Sequence, residues 1–245
     1  MDTNQYYEMI DGGGSNVYHL LFYMISNFLI ADVNKPIRYY YPLKENKLEN
    51  EMLALLPGNF VREYEKTPGI IYTSFMRAIP IFEDMALPQS YNLIRYLFRE
   101  WCRPLPATIG GKKIYISRNP HKLPEKRRTF QNEKDVIECM KILGFEILEM
   151  EMYSVKEQIG RISEASVIVS AHGAALAFSV FCHPGTTIVE IFKETTKPKR
   201  HYMHIAKCLA LQFTRFNQVD IIDEHENMIV NVHALYSSLV HLLPP

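Results

Sequence analysis

The sequence predicts an α/β protein built as two facing Rossmann-like lobes, and three observations support that. Short β-branched runs alternate with segments of helical spacing along most of the chain, the pattern of parallel sheets covered by helices. A Pro/Gly-rich break, Arg103-Pro104-Leu105-Pro106 and then Gly110-Gly111, interrupts the alternation, which begins afresh beyond it. Residues 165–181, ASVIVSAHGAALAFSVF, join an apolar strand to a helix through the small turn Ser170-Ala171-His172-Gly173. A strand, a compact turn and a helix start point unpaired N–H groups at one spot, a recipe for holding an anion. The lobes are expected at residues 1–104 and 105–245, with the closing helix packing back toward the first lobe. A ligand is expected in the cleft between them, where the carboxyl ends of the strands meet.

In chain order, residues 6–10 read as a strand and Asp11-Gly12-Gly13-Gly14 as a turn, with Ser15 or Asn16 capping a helix. That helix carries Leu20, Leu21, Met24, Ile25, Phe28 and Leu29 on its apolar face. The apolar run 18–31 is too short to span a bilayer and contains Ser26 and Asn27, so it reads as a core helix. Strands follow at 37–41, 60–64 and 70–75, and helices at 44–56 and 88–101. After the break come a strand at 113–117, a helix at 132–143 ended by Gly144, and a strand at 145–150. Ser154-Val155-Lys156-Glu157 has the capping-box pattern and opens a helix to Ser163. Strands at 187–192 and 213–216, a helix at 202–211 and a closing helix at 226–243 complete the expectation.

Composition narrows the partners. The chain has 245 residues, 47% hydrophobic and 22% charged, with a formal net charge of +0, so no global field attracts nucleic acid or a membrane surface. The four cysteines lack C-x-x-C spacing and read as reduced thiols of a cytoplasmic protein. The start, MDTNQYYEMID, is acidic and polar where a secretory leader needs a basic and then apolar run.

Several residues stand where chemistry is expected. Arg118 ends the strand 113–117, and Lys122, Lys126, Arg127 and Arg128 follow in the next loop; a guanidinium fork matches phosphate oxygens. Asn132-Glu133 places a polar pair at the next helix start. Glu190 ends a strand, where a carboxylate can accept two ribose hydroxyl bonds. His19, just past the glycines, is a candidate general base. There is no D-x-D pair, H-E-x-x-H or G-x-S-x-G, so neither a metal-bridging carboxylate site nor a serine hydrolase is indicated.

Taken together, IYISR (114–118), RR (127–128), NE (132–133), LGF (143–145), EQI (157–159), HGAAL (172–176), HPGT (183–186) and VEIF (189–192) resemble glycosyltransferase family 61. Asn16-Val17-Tyr18-His19 is similar to the N-x-x-H near the start of these enzymes. The resemblance implies a GT-B type pair of lobes and inverting transfer from a nucleotide sugar, UDP-linked by family habit, to a hydroxyl of a glycan or glycoprotein acceptor. No metal or permanently bound cofactor is implied. Carried over, Arg118 and Arg128 face the diphosphate, with His172, Gly173 and Ala174 beneath it. Glu190 holds the ribose, and Asn132 and Gln158 support the donor site. His19 is the base, with Gly13, Gly14 and Asn16 on the acceptor side. One departure stands out: the aspartate common in the family four residues after the histidine is Tyr23 here. That substitution keeps a second reading open, a sugar-nucleotide or glycan-binding module weakened in catalysis. A two-lobe transferase of another kind, such as a pyruvyl transferase, is a third.

Overall fold

The computed structural model describes residues 4–9, 17–42, 47–75, 87–104, 111–118, 128–193 and 199–243. The expected glycine turn at 11–14, the caps Ser15 and Asn16, most of the inter-lobe segment and the basic positions Lys122, Lys126 and Arg127 lie outside the described residues. The chain is mixed α/β with parallel sheets and divides into two compact units, Met1–Trp101 with Ser154–Lys156, and Cys102–Tyr153 with Glu157–Pro245.

The first unit is a four-stranded parallel sheet of β1 (Gln5–Met9), β2 (Ile37–Tyr40), β3 (Phe60–Glu63) and β4 (Thr73–Phe75), in the order β3-β2-β1-β4. Ile37 and Tyr39 of β2 are buried while Arg38 and Tyr40 are half-buried, the period-2 signature of a strand. The expected core helix is present but changes pitch twice. A single α turn, α1 (Val17–His19), runs into a π-helical turn, Leu20–Met24, and then a 3₁₀ stretch, Ile25–Ile30. At that second change Ser26 Oγ donates to the Phe22 carbonyl and Asn27 Nδ2 to that of Tyr23, each at 2.5 Å. These buried polar side chains take carbonyls the helical ladder would otherwise use. Phe28 fastens the run to the sheet through edge contacts with Tyr7, Tyr39 and Phe60. The helix α2 (Lys47–Ala54) buries Met52 and Leu53, and α3 (Pro88–Leu97), opened by proline, buries Tyr91, Leu93, Ile94 and Leu97.

The second unit holds a five-stranded parallel sheet of β5 (Lys112–Ile116), β6 (Glu146–Leu148), β7 (Ala165–Ala171), β8 (Thr187–Ile191) and β9 (Gln212–Phe216), in the order β6-β5-β7-β8-β9. β8 is buried along its whole length and β7 along nearly all of it, as central strands covered on both faces must be. The helices are α4 (Glu133–Ile142), α5 (Val155–Ser163), α6 (His201–Cys208) and α7 (Val232–Leu242). Gly144 ends α4 at a φ of 76°, where a Cβ would be strained.

Two expectations fail in this unit. The turn after β7 leads not into an α-helix but into a 3₁₀ helix, Ala174–Phe181, opened by an i→i+3 bond from Leu176 N to Gly173 O. Residues Leu176 to Phe181 are all buried, so no polar face fixed an α period. The closing segment is not one helix either. Met228–Val230 is a strand, β11, paired antiparallel with β10 (Val219–Ile221), and α7 begins only after Asn231, whose side chain accepts from Ala234 N. That helix buries Leu235 and Leu239 in the second unit's core, in one cluster with Val136 and Met140 of α4.

Candidate functional site

From β5 the chain passes to β6 on one side of the second sheet and then returns to β7 on the other. Between β5 and β7, therefore, the strand order reverses, and in open parallel sheets ligands sit outside the carboxyl ends of the strands at such a point. Arg118 follows β5, and His172 follows β7. Arg118 Nη1 donates to the His172 carbonyl at 3.2 Å, so one guanidinium closes the switch point. Gly173 makes room for it: a Cβ there would lie 2.1 Å from Arg118 Nη1. The strand end is set by Glu133 at the start of α4, whose Oε1 accepts from Tyr115 Oη at 3.0 Å and Ser117 Oγ at 2.7 Å. Burial raises the Glu133 carboxyl above the ordinary range, against the pull of Ser117, Tyr115 and the Arg118 backbone.

His172 is buried, and its N–H is pinned to Ile191 O on β8. Its Nδ1 lies 2.5 Å from Glu190 Oε1. An ionised carboxylate only accepts, so Nδ1 carries the proton and Nε2 is the ring's acceptor. The ring rests against Phe192 and Tyr202, with centroids 4.5 and 5.2 Å away. Its pKa is lowered by burial; Glu190 pulls it up, and Arg128 and Lys199 push it down. Neutral imidazole is therefore favoured at neutral pH.

Beyond Glu190 the contacts continue as a chain. Glu190 Oε2 accepts from Arg215 Nε at 2.7 Å, and Arg215 Nη2 donates to the Lys199 carbonyl at 2.5 Å. Lys199 Nζ lies 4.8 Å from the Phe192 ring centroid and pairs with Glu226 at 2.9 and 3.0 Å. Glu226 Oε2 takes Arg128 Nε at 2.6 Å. Arg128, Lys199 and Arg215 thus gather around two carboxylates, Glu190 and Glu226, while Arg118 lies at the His172 carbonyl beside Glu133, a set of cations suited to a phosphate-bearing ligand.

The sequence-derived residues divide accordingly. Arg118, His172, Gly173 and Glu190 meet at the switch point, and Arg128 joins them through Glu226 and Lys199. Ala174, half-buried, opens the 3₁₀ helix. Glu190 is fully buried with both oxygens engaged by His172 and Arg215. Asn132 spends its amide on Val230, donating to the carbonyl at 2.9 Å and accepting from the N–H at 3.0 Å. Gln158 Nε2 donates to the carbonyls of Met150 and Tyr153. Beside that turn, just past β6, is a cavity of about 330 Å³ lined by Ile147, Glu149, Met152 and Tyr153. His19 belongs to the first unit and stacks on Tyr23, with centroids 4.8 Å apart. Gly13, Gly14 and Asn16 lie outside the described residues.

Sequence reasoning missed Lys199, Arg215 and Glu226. For Arg215 a signal existed: it sits in the strand run ending at Phe216, beside the strand that carries Glu190, and the register pairs the two residues directly. Lys199 had none, and for Glu226 the signal lay only in the turn of the β10–β11 hairpin that carries it.

A five-stranded parallel sheet with a switch point between β5 and β7 defines an open α/β unit, the kind in which ligands sit outside the carboxyl ends of the strands. Comparison with known proteins makes this specific. The profile described as Glycosyltransferase 61 matches residues 13–189, so the chain belongs to that family. Over 61 residues it is 44% identical to a protein named beta-1,2-xylosyltransferase from Arabidopsis thaliana, a stretch that is 24% of this chain and 11% of that protein. Lys199, Arg215 and Glu226 all lie beyond the matched span. No helix among the described residues is long and apolar enough to cross a membrane.

Proposed function

We propose that this chain is an inverting glycosyltransferase that moves a sugar from a UDP-linked donor to a hydroxyl of a glycan or glycoprotein. Membership of family 61 supports sugar transfer, and the similarity to a xylosyltransferase favours a pentose among donor sugars. The observation that carries the reading is Arg118 laid across the switch point onto the His172 backbone.

The donor's diphosphate is assigned to Arg118, Arg128 and Lys199, with His172, Gly173 and Ala174 beneath it. Glu190 is reassigned from ribose binding to orienting His172 and Arg215, since both its oxygens are engaged. Asn132 and Gln158 shape the site through backbone contacts, and the cavity past β6 is assigned to the nucleoside end. His19 is the acceptor-side base of this scheme, with Gly13, Gly14 and Asn16 near it. A GT-B type architecture and action in a reducing, cytoplasmic compartment complete it. The leaving diphosphate is stabilised by side-chain cations rather than by a divalent metal, which makes transfer independent of one.

A second reading rests on Tyr23. Its ring stacks on His19 where the family commonly carries an aspartate, so a protein that binds sugar nucleotides without turning them over remains the alternative. One experiment separates the two: a panel of sugar nucleotides screened by thermal shift, then assayed for donor cleavage with and without acceptor sugars, each with EDTA. A true donor at a hundred times its Kd stabilises the fold by about 2.7 kcal/mol. Acceptor-dependent, EDTA-resistant turnover is expected. Stabilisation without turnover selects the binder, and loss of turnover in EDTA contradicts the metal-independent scheme.

A further inference from the structure

Glu226 is tied to the same two cations that the donor scheme assigns to phosphate. Its Oε1 and Oε2 lie 2.9 and 3.0 Å from Lys199 Nζ, and Oε2 also takes Arg128 Nε at 2.6 Å. One carboxylate therefore bridges an ammonium and a guanidinium, the grip expected of a phosphate oxygen pair. The backbone holds it there at a cost. Arg128 and Glu226 both have left-handed φ, 55° and 60°, and neither is glycine. Such conformations persist where surrounding bonds enforce them and gather at functional sites.

The enforcing bonds form a zipper between the two segments. Arg128 N donates to His225 O, Thr129 N and Oγ1 to Asn227 Oδ1, Met228 N to Thr129 O, and Gln131 N to Met228 O. At its far end Asn132 grips Val230 through both amide atoms. On the other strand, Asp223 Oδ1 accepts the N–H groups of His225 and Asn227, fixing the loop that carries Glu226. The backbone at residue 226 is thus fixed beside Arg128, and among the described residues the Glu226 carboxylate is held by Arg128 and Lys199 alone. Lys199 in turn lies over Phe192, the ring that touches His172.

We infer that Glu226 is a resident anion in the donor's phosphate seat, which an incoming diphosphate must displace from Arg128 and Lys199. The inference rests on the donor reading above and adds a device to it: the free protein neutralises its own cations, which weakens the hold on nucleoside diphosphate. A carboxylate within a few ångströms of a bound diphosphate repels it, and removing that charge favours the ligand even at the damped strength of a half-exposed site.

The test is calorimetric titration of UDP and of inorganic pyrophosphate into wild type, Glu226→Gln and the double variant Glu226→Gln/Arg128→Gln. Glutamine keeps the size and an acceptor oxygen but removes the charge. Glu226→Gln is expected to bind both ligands about tenfold more tightly, and the double variant is expected to lose that gain. Raising the salt concentration should shrink the difference. Unchanged or weaker binding by Glu226→Gln, with wild-type binding still dependent on Arg118, overturns the resident-anion role and leaves the donor site standing. If Glu226→Gln fails to fold, Glu226→Ser carries the same expectation. Failure of wild type to bind either ligand counts against the donor reading itself, and the resident anion falls with it.

Discussion

Replacing Arg118 by alanine is expected to lower the rate of sugar transfer by two to three orders of magnitude. The guanidinium lies on the carbonyl of His172 at the point where the strand order of the sheet reverses, which the scheme makes the place where charge builds on the leaving diphosphate. A well-placed donor to such developing charge is typically worth about 3–4 kcal/mol, and each 1.4 kcal/mol is about tenfold in rate. The loss should appear in kcat as well as in kcat/KM, because the interaction strengthens as the bond to the sugar breaks. Arg118→Lys should recover only part of it, since an ammonium keeps the charge but not the fork. Near-wild-type turnover in Arg118→Ala would remove this residue from the chemistry.

The second large effect is expected at His172. In the proposed scheme, with Nδ1–H committed to Glu190, Nε2 is the atom left to exchange a proton with a ligand. Burial, Arg128 and Lys199 keep the ring neutral in the free protein. On the proposed scheme a bound diphosphate brings negative charge beside it and raises its pKa, so binding is expected to take up a proton that Nε2 can donate to the departing phosphate oxygen. The folded-state pKa lies below the ordinary 6.5, so the imidazolium of the free protein forms only below that value, and the ligand moves this titration upward. UDP affinity should therefore weaken as pH rises above the free-protein pKa of His172, and the observed binding enthalpy should differ between buffers of different ionisation enthalpy, in the sense of proton uptake. His172→Asn keeps an N–H near the position of Nδ1 for Glu190, so the buried carboxylate is not stranded. Transfer should fall by about 10²–10⁴, and the pH dependence of UDP affinity should flatten. A His172→Asn enzyme that retains the wild-type pH profile would show that the ring is only a packing element.

How much of this was legible follows from where the information lay. The strands of the second sheet could be read because β-branched runs such as Val167-Ile168-Val169 have few other stable uses. The pairing of Arg118 with the turn at His172 was legible only as type and position: a cation after one strand, small residues after another. That they touch depends on β5 lying next to β7 in the sheet, which no local pattern states. The 3₁₀ helix after Gly173 was misread because Leu176 to Phe181 are buried all round and carry no amphipathic period. The β10–β11 hairpin was missed although Asp223 and Asn227 mark a turn between two short alternating runs. With it went Glu226, whose partners lie 27 and 98 residues away. Glu190 was expected to hold a ribose, and its two oxygens meet His172 and Arg215; a strand-end carboxylate looks the same in sequence whether it faces a ligand or a histidine.

Backbone hydrogen–deuterium exchange in the presence and absence of UDP locates the ligand directly. The account predicts added protection in the second unit, centred on the amides of residues 117–118, 172–176, 190–193 and 199–202, with the protection lost in Arg118→Ala at the same UDP concentration. Saturable UDP binding that leaves those amides unchanged and protects residues 17–30 instead would contradict it.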